Sequence, residues 1–243
     1  MSSRPTIETA FAGLAQRLQA LHEADLRANP GGGLVGGRER AVADIEAALS
    51  AVLDAFHDLY DAIDAEFPDV TLDWYGEGAL ALILALRQAR REPSWSVRTL
   101  YRYHEQAPRP TAIVEYVFVD FAYEPERLDA FDVFLCWHDF AAWLDQSATV
   151  NRLHTDTVAV IRDYLGAAHF AHFAAHFAQP AERVFFNVVP LFVNAGVALI
   201  PRLGPLLPPG TTGGDLFAGW MEGAARADTA LPQVVCAPFL LPA

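Results

Sequence analysis

From residue 38 to residue 67 the apolar side chains recur at every third or fourth position: Val42, Ile45, Leu49, Val52, Phe56, Leu59 and Ile63. That spacing forms one stripe on a helix and no single face of a strand. A second stripe, Ile7, Phe11, Leu14, Leu18 and Leu21, predicts a helix over residues 6 to 28. Between them, Asn29-Pro30 and the run GGGLVGG stop one helix and connect it to the next. Two amphipathic helices on a short loop are expected to form an antiparallel hairpin. Its seam faces the rest of the fold or a partner.

After Pro68 the pattern changes. VTLDWYG, residues 70 to 76, is a short strand candidate, and ALALILALRQARR, residues 79 to 91, is too uniformly apolar for periodicity to choose between helix and strand. WSVRTLYRYHE alternates by two, with Arg98, Arg102 and His104 on one face, so a strand is expected over residues 95 to 105. TAIVEYVFVDFAY is apolar on both faces except for Glu115 and Asp120, as in a central strand, and FDVFLCWH is another strand. Helix is expected from Asp139 to Gln179, in two pieces meeting near Ser147. ERVFFNVVPLFVN reads as a last strand or buried segment, followed by a long loop and a short helix around DLFAGWMEGAARA.

Helices, then strands, then helices predict an α+β fold: the N-terminal antiparallel hairpin, residues 1–67, followed by a mostly antiparallel sheet covered by helices, residues 68–243. The two blocks are expected to share one core, making a single domain.

Composition narrows the chemistry. All 17 basic side chains are arginine and none is lysine. A Walker-A loop, a protein-kinase site and any Schiff-base mechanism each use a lysine amine. An arginine-rich codon preference accounts for the bias, with selection against lysine modification as the sharper alternative. The net charge of −13 argues against nucleic acid and anionic lipid as partners. Two distant cysteines, Cys136 and Cys236, make neither a disulfide framework nor a zinc cluster. The start MSSRPTIETAF lacks a charged-then-apolar signal, so a cytoplasmic location is expected. VFFNVVPLFVNAGVALI approaches the length of a membrane span, but Asn187, Pro190 and Asn194 interrupt it. Membrane contact is therefore not expected beyond a minor, reversible kind.

One stretch stands apart chemically. In GAAHFAHFAAHFAQ, His169, His172 and His176 fall within about 60° of arc on a helix, with Phe170, Phe173 and Phe177 about 100° away. If the helix ran unbroken through Gly166, the histidines would continue the apolar stripe of Val158, Ile161 and Leu165, and their nitrogens would need partners, a metal or a cavity. A break at Gly166 would turn them toward water. His172 with His176 is the best metal pair and His169 with His172 the second. A shell would take a carboxylate or imidazole from Glu115, Asp120, His138 or Asp139 and hold zinc or iron. The glutamate of HExxH is absent, because Phe173, Ala174 and Ala175 separate the pair.

Weaker signals surround it. Arg98, Arg102 and His104 can receive a carboxylate or phosphate, or pair with the chain's own acids. His138 and Asp139 stand where a strand meets a helix, a common place for a ligand contact, although Asp139 also suits a first-turn acid. Asp54, His57, Asp58 and Asp61 read as the solvated face of the second helix. The run from Gly31 to Gly36 matches G-x-G-x-x-G by letters but follows a helix rather than a strand, so it is a connection. Its amides, beside Arg38 and Arg40, are suited to an anion at most. None of the six serines lies in G-x-S-x-G.

The function expected is a cytoplasmic binding or regulatory protein without catalysis, acting on a protein partner or small molecule, with a homodimer through the hairpin as one arrangement. The alternative is a metal-dependent enzyme in which His169, His172 and His176, with a carboxylate, activate water or dioxygen.

Overall fold

The computed structural model describes residues 6–29, 32–68, 72–92, 97–106, 113–121, 131–207, 209–221 and 226–239. The chain divides into two compact units. The first takes Met1–Trp74 and Ala195–Ala225, the second Tyr75–Asn194 and Arg226–Ala243.

In the first unit, α1 (Ile7–Ala28) begins at Thr6, whose hydroxyl accepts from the Thr9 amide and so caps one of the free N–H groups. A single turn, α2 (Gly33–Gly36), leads into α3 (Arg38–Glu66). The stripes read from the sequence are buried at Ile7, Phe11, Leu14 and Leu21 on α1, where Leu18 is half-buried, and at Val42, Ile45, Leu49, Val52, Phe56, Leu59 and Ile63 on α3. The Ile7 amide donates to Glu66 Oε1 at 3.0 Å, placing the start of α1 beside the end of α3. At the connection a Cβ on Gly33 would stand 2.8 Å from the Arg27 carbonyl oxygen, so this close approach of backbone to backbone requires glycine.

The second unit holds α4 (Gly78–Arg91), α5 (Leu100–Gln106), β1 (Glu115–Asp120), β2 (Phe134–Cys136), α6 (Trp137–Thr149), α7 (Thr155–Tyr164), α8 (Phe170–His176), β3 (Val184–Asn187) and, near the chain end, β4 (Gln233–Pro238). Between β3 and β4 come α9 (Val189–Leu203), which passes from the second unit into the first at Ala195, and α10 (Thr212–Met221), which packs on α1.

The fold is α+β, but its sheet is mixed rather than mostly antiparallel. The strand order is β2-β3-β1-β4. The central pair β1–β3 is parallel, with Phe118 opposite Phe185, while β4 on β1 and β2 on β3 are antiparallel. A parallel pair needs a long crossover, and the helices α6 to α8 lie within the connection from β1 to β3.

Two expected strands are not strands. Residues 97–106 carry only one isolated bridge, Thr99 to Leu135, and then turn into α5. Thr99 starts that helix: its hydroxyl accepts from the Arg102 amide and its carbonyl from the Tyr103 amide. Residues 95 and 96 lie outside the described residues, as do 70 and 71; Leu72 and Asp73 are in neither helix nor strand, and Trp74 to Gly76 form a turn. The apolar run 79–91 is helix, buried from Ala79 to Leu86 and again at Ala89. The helical block after Asp139 breaks more often than the sequence suggests. It ends after α6 at Thr149, restarts at Thr155, and breaks again at Gly166, whose φ of +60° is left-handed.

Alternation assigns the two faces of the sheet. Val117, Val119, Val184, Phe186 and Leu135 share one, all buried, and Phe140 and Trp137 of α6 pack on Phe186. Tyr116, Phe118, Asp120, Phe134, Cys136, Phe185, Asn187 and Val235 share the other. Its cover is α5, where Tyr103 meets Phe185 edge-on at 5.3 Å. Among the described residues, no helix is long and apolar enough to cross a membrane.

Candidate functional site

Both parallel strands end on a polar side chain at the same edge of the sheet: Asp120 closes β1 and Asn187 closes β3. Asn187 is 1% exposed and every hydrogen-bonding edge of its amide is in use. Its Nδ2 donates to Asp120 Oδ1 at 2.9 Å and to Asp132 Oδ1 at 2.7 Å. Its Oδ1 accepts from the Val133 and Val189 amides at 3.3 and 3.1 Å. One amide thus joins two strands, the segment before β2 and the start of α9. The carboxyl ends of parallel strands are where ligands meet open sheets.

Beside this polar end the second face is only partly covered. Phe118 and Phe134 meet edge-on at 5.0 Å, and both are half-buried. Val235, opposite Phe118 on β4, is 56% exposed. Leu231, just before β4, is 76% exposed. Strand β4 is the last in the sheet order, so its outer backbone edge has no strand partner among the described residues. The result is an apolar strip with acids at one end: Phe134, Phe118 and Val235, then Asp120 and Asp132.

Of the ligand-contact residues read from the sequence, Arg98 and Asp139 come together, on each other, while Arg102, His104 and His138 do not join them. Arg98 Nε and Nη2 donate to Asp139 Oδ2 and Oδ1, each at 2.7 Å, and the Arg98 amide adds a bond to Oδ2 at 3.2 Å. The guanidinium lies 4.7 Å from the centre of the Tyr103 ring. Hydrogen bonding to Asp139 raises Arg98 above its ordinary value. Arg102 pairs with Glu105 on α5, and His104 Nδ1 lies 3.1 Å from the Tyr116 hydroxyl. His138 is exposed in the first turn of α6. Below the pair, Cys136 is wholly buried and burial pushes its thiol up to about 12. Such a thiol carries no thiolate near neutral pH and is a poor nucleophile.

The histidine stretch takes the second of its two expected forms. With the helix broken at Gly166, Phe170 is buried at 0% exposure against Trp137, and His169, His172 and His176 are exposed. His172 and His176 lie on one face with ring centres 6.4 Å apart. No group of three or more histidine, cysteine, aspartate or glutamate side chains suited to an ion occurs among the described residues. Of the acids considered for a shell with these histidines, Asp139 is bound to Arg98 and Asp120 to Asn187.

Two minor features fall in the first unit. The glycine connection borders a shallow cleft of about 220 Å³ lined by Arg27, Gly33, Gly37, Arg40 and Asp44; Gly31 lies outside the described residues. His57 and Asp61 approach to 3.9 Å on α3, both partly exposed.

The network at Asn187 is what sequence reading missed. In the sequence Asp120 stands with Glu115 as one of two acids in an apolar strand, and Asn187 is an amide that argues against a membrane span. A polar side chain inside VFFNVV must find partners once buried, and that rule is the signal that links them. Comparison with protein-family models, curated proteins and solved structures finds no match to this chain.

Proposed function

We propose that this is a cytoplasmic binding protein without a catalytic step of its own, and that it takes an extended segment of a protein partner along β4. The observation that carries the reading is the open edge of β4 with Val235 exposed beside Phe118 and Phe134. A strand added to a free edge gains backbone hydrogen bonds and places alternate side chains on one face. On this face an apolar side chain next to Val235 covers the strip. A long basic side chain two positions away reaches over Gln233 toward Asp120, its neighbour across β1. The net charge of −13 favours the same basic partner. Arg98 and Arg102 are spent on Asp139 and Glu105, and so act as supports rather than receptors.

In this reading the helices α1 and α3 are an antiparallel hairpin whose seam is spent inside the chain, since Leu49 is fully buried. Two free cysteines fit a reducing compartment.

The test uses a labelled six-residue peptide of threonine with valine second and arginine fourth, so that both side chains share one strand face, its counterpart with glutamate in place of arginine, and fluorescence anisotropy with the full chain. The arginine peptide is expected to bind, and Val235→Asp to weaken it at least about tenfold, although the change adds negative charge that would strengthen unspecific attraction. Equal binding of the two peptides, or unchanged binding to Val235→Asp, overturns the reading.

A further inference from the structure

We infer that His172 and His176 form a surface chelate for one divalent transition-metal ion, independently of the β4 edge. Both imidazoles are exposed, stand one helical turn apart on the same face of α8, and have ring centres 6.4 Å apart with planes 32° from parallel. Two histidines at i and i+4 are the pair that shares one zinc ion on a helix. With metal–nitrogen bonds of about 2.0–2.1 Å and tetrahedral angles, the two ring centres lie about 5 Å apart. Each ring therefore swings inward by well under 1 Å, a rotamer adjustment that exposed side chains make freely.

The backbone beneath them is fixed. Phe170 is fully buried and meets Trp137 edge-on at 4.9 Å, while Ala174 is 4% exposed and faces inward between the two histidines. The helix begins after left-handed Gly166 and ends before Ala178, which also has a positive φ of 53°. Those two reversals confine α8 to the single face that buries phenylalanine and presents histidine. His169 stands outside the pair: it precedes the first helical residue, in the 3-10 turn Ala167–His169, and its ring neighbours Phe173.

Two nitrogen ligands and no carboxylate select a borderline ion over a hard one. Copper(II) is expected to bind tightest, zinc and nickel(II) next, and magnesium not at all. The remaining coordination positions are filled by water or by a donor from another molecule.

The experiment is calorimetric titration of the untagged full chain with zinc and copper(II) salts, with magnesium as control. One equivalent is expected to bind. His172→Ala and His176→Ala are each expected to weaken it at least about tenfold, because losing one arm of a chelate removes the gain in effective concentration. His169→Ala keeps parental affinity. All three positions are exposed, so the variants are expected to melt with the parent in metal-free buffer; zinc then raises the melting point of the parent and His169→Ala only. Unchanged affinity in His172→Ala or His176→Ala overturns the assignment, as does an equal loss in His169→Ala or comparable binding of magnesium.

Discussion

Arg98 and Asp139 form a two-pronged ion pair between residues 41 positions apart, tying the segment before α5 to the first turn of α6. Asp139 accepts three hydrogen bonds from Arg98, one of them from its backbone amide. The acid is also well placed against the helix dipole of α6. Asp139→Asn keeps the shape and removes the charge. It is expected to lower stability by about 2 kcal/mol, the scale of charge-assisted bonds partly screened by water. Arg98→Lys is expected to cost nearly as much, because an ammonium cannot reproduce the fork or stack on Tyr103. Urea unfolding of the parent and both variants measures this.

The two thiols are expected to differ in accessibility. Cys136 is buried and held as a thiol up to about pH 12, whereas Cys236 is half-exposed on the edge strand. A thiol-specific reagent near pH 8 is expected to label one cysteine in the folded chain, identified as Cys236 by peptide mapping, and both in denaturant. Fast labelling of Cys136 under native conditions would show that the sheet face beneath α5 opens readily.

The contrast between helices and strands in legibility has a physical cause. The stripes of α1 and α3 were readable because a three-four repeat over many turns has no alternative structure that buries it. Residues 97–106 alternate by two over too short a span, and the local bonds from Thr99 settle them as helix. Strand β4 went unread because QVVCAP is short, two-sided and near the chain end; its strand character comes from pairing with β1. Parallel pairing of β1 with β3 is a non-local fact that no window of sequence contains. The exposure of the three histidines hung on one backbone angle, at Gly166. The pairing of Arg98 and Asp139 was anticipated in kind, since the chain's own acids outnumber its bases, but the sequence does not name the partner.

Asp25 is expected to oppose folding at neutral pH. Burial raises its carboxyl above the ordinary range, against a partial offset from Asn29, whose side-chain amide donates to Oδ1 at 2.6 Å, and from His22. It also sits in the last turn of α1, where the helix dipole disfavours an anion. With the folded value above the unfolded one, the folded chain holds this proton more tightly. The stability contributed is therefore full below the unfolded value and is lost as pH rises through the folded one. Asp25→Asn removes that slope. Its melting point is expected to exceed the parent's by about 1–2 °C at neutral pH, a small gain because Asn29 and His22 offset part of the burial penalty, and to match it in acid.

The sharpest test of the sheet's polar end is Asn187→Asp. The parent amide donates to Asp120 and Asp132 while accepting from two backbone amides. The substitution is nearly isosteric, keeps the acceptor toward Val133 and Val189, and replaces the donor with an oxygen facing two carboxylates. Burial and two like charges both raise the new carboxyl's pKa. Its unfolded value is the ordinary one, so the variant follows the same sign as Asp25, on a larger scale. The loss is greatest above the folded value and disappears as acid restores a proton that again donates to a neighbouring carboxylate. At neutral pH the variant is expected to lose about 3 kcal/mol, the scale of an uncompensated buried charge, and to recover much of it near pH 4. Asn187→Leu separates the two effects: it loses all four hydrogen bonds and gains no charge, so its deficit is expected to lack that acid recovery. Urea unfolding of both variants across pH 4 to 8 measures the difference, and a deficit in Asn187→Asp that does not shrink in acid would mean that Asp120 and Asp132 do not face this position.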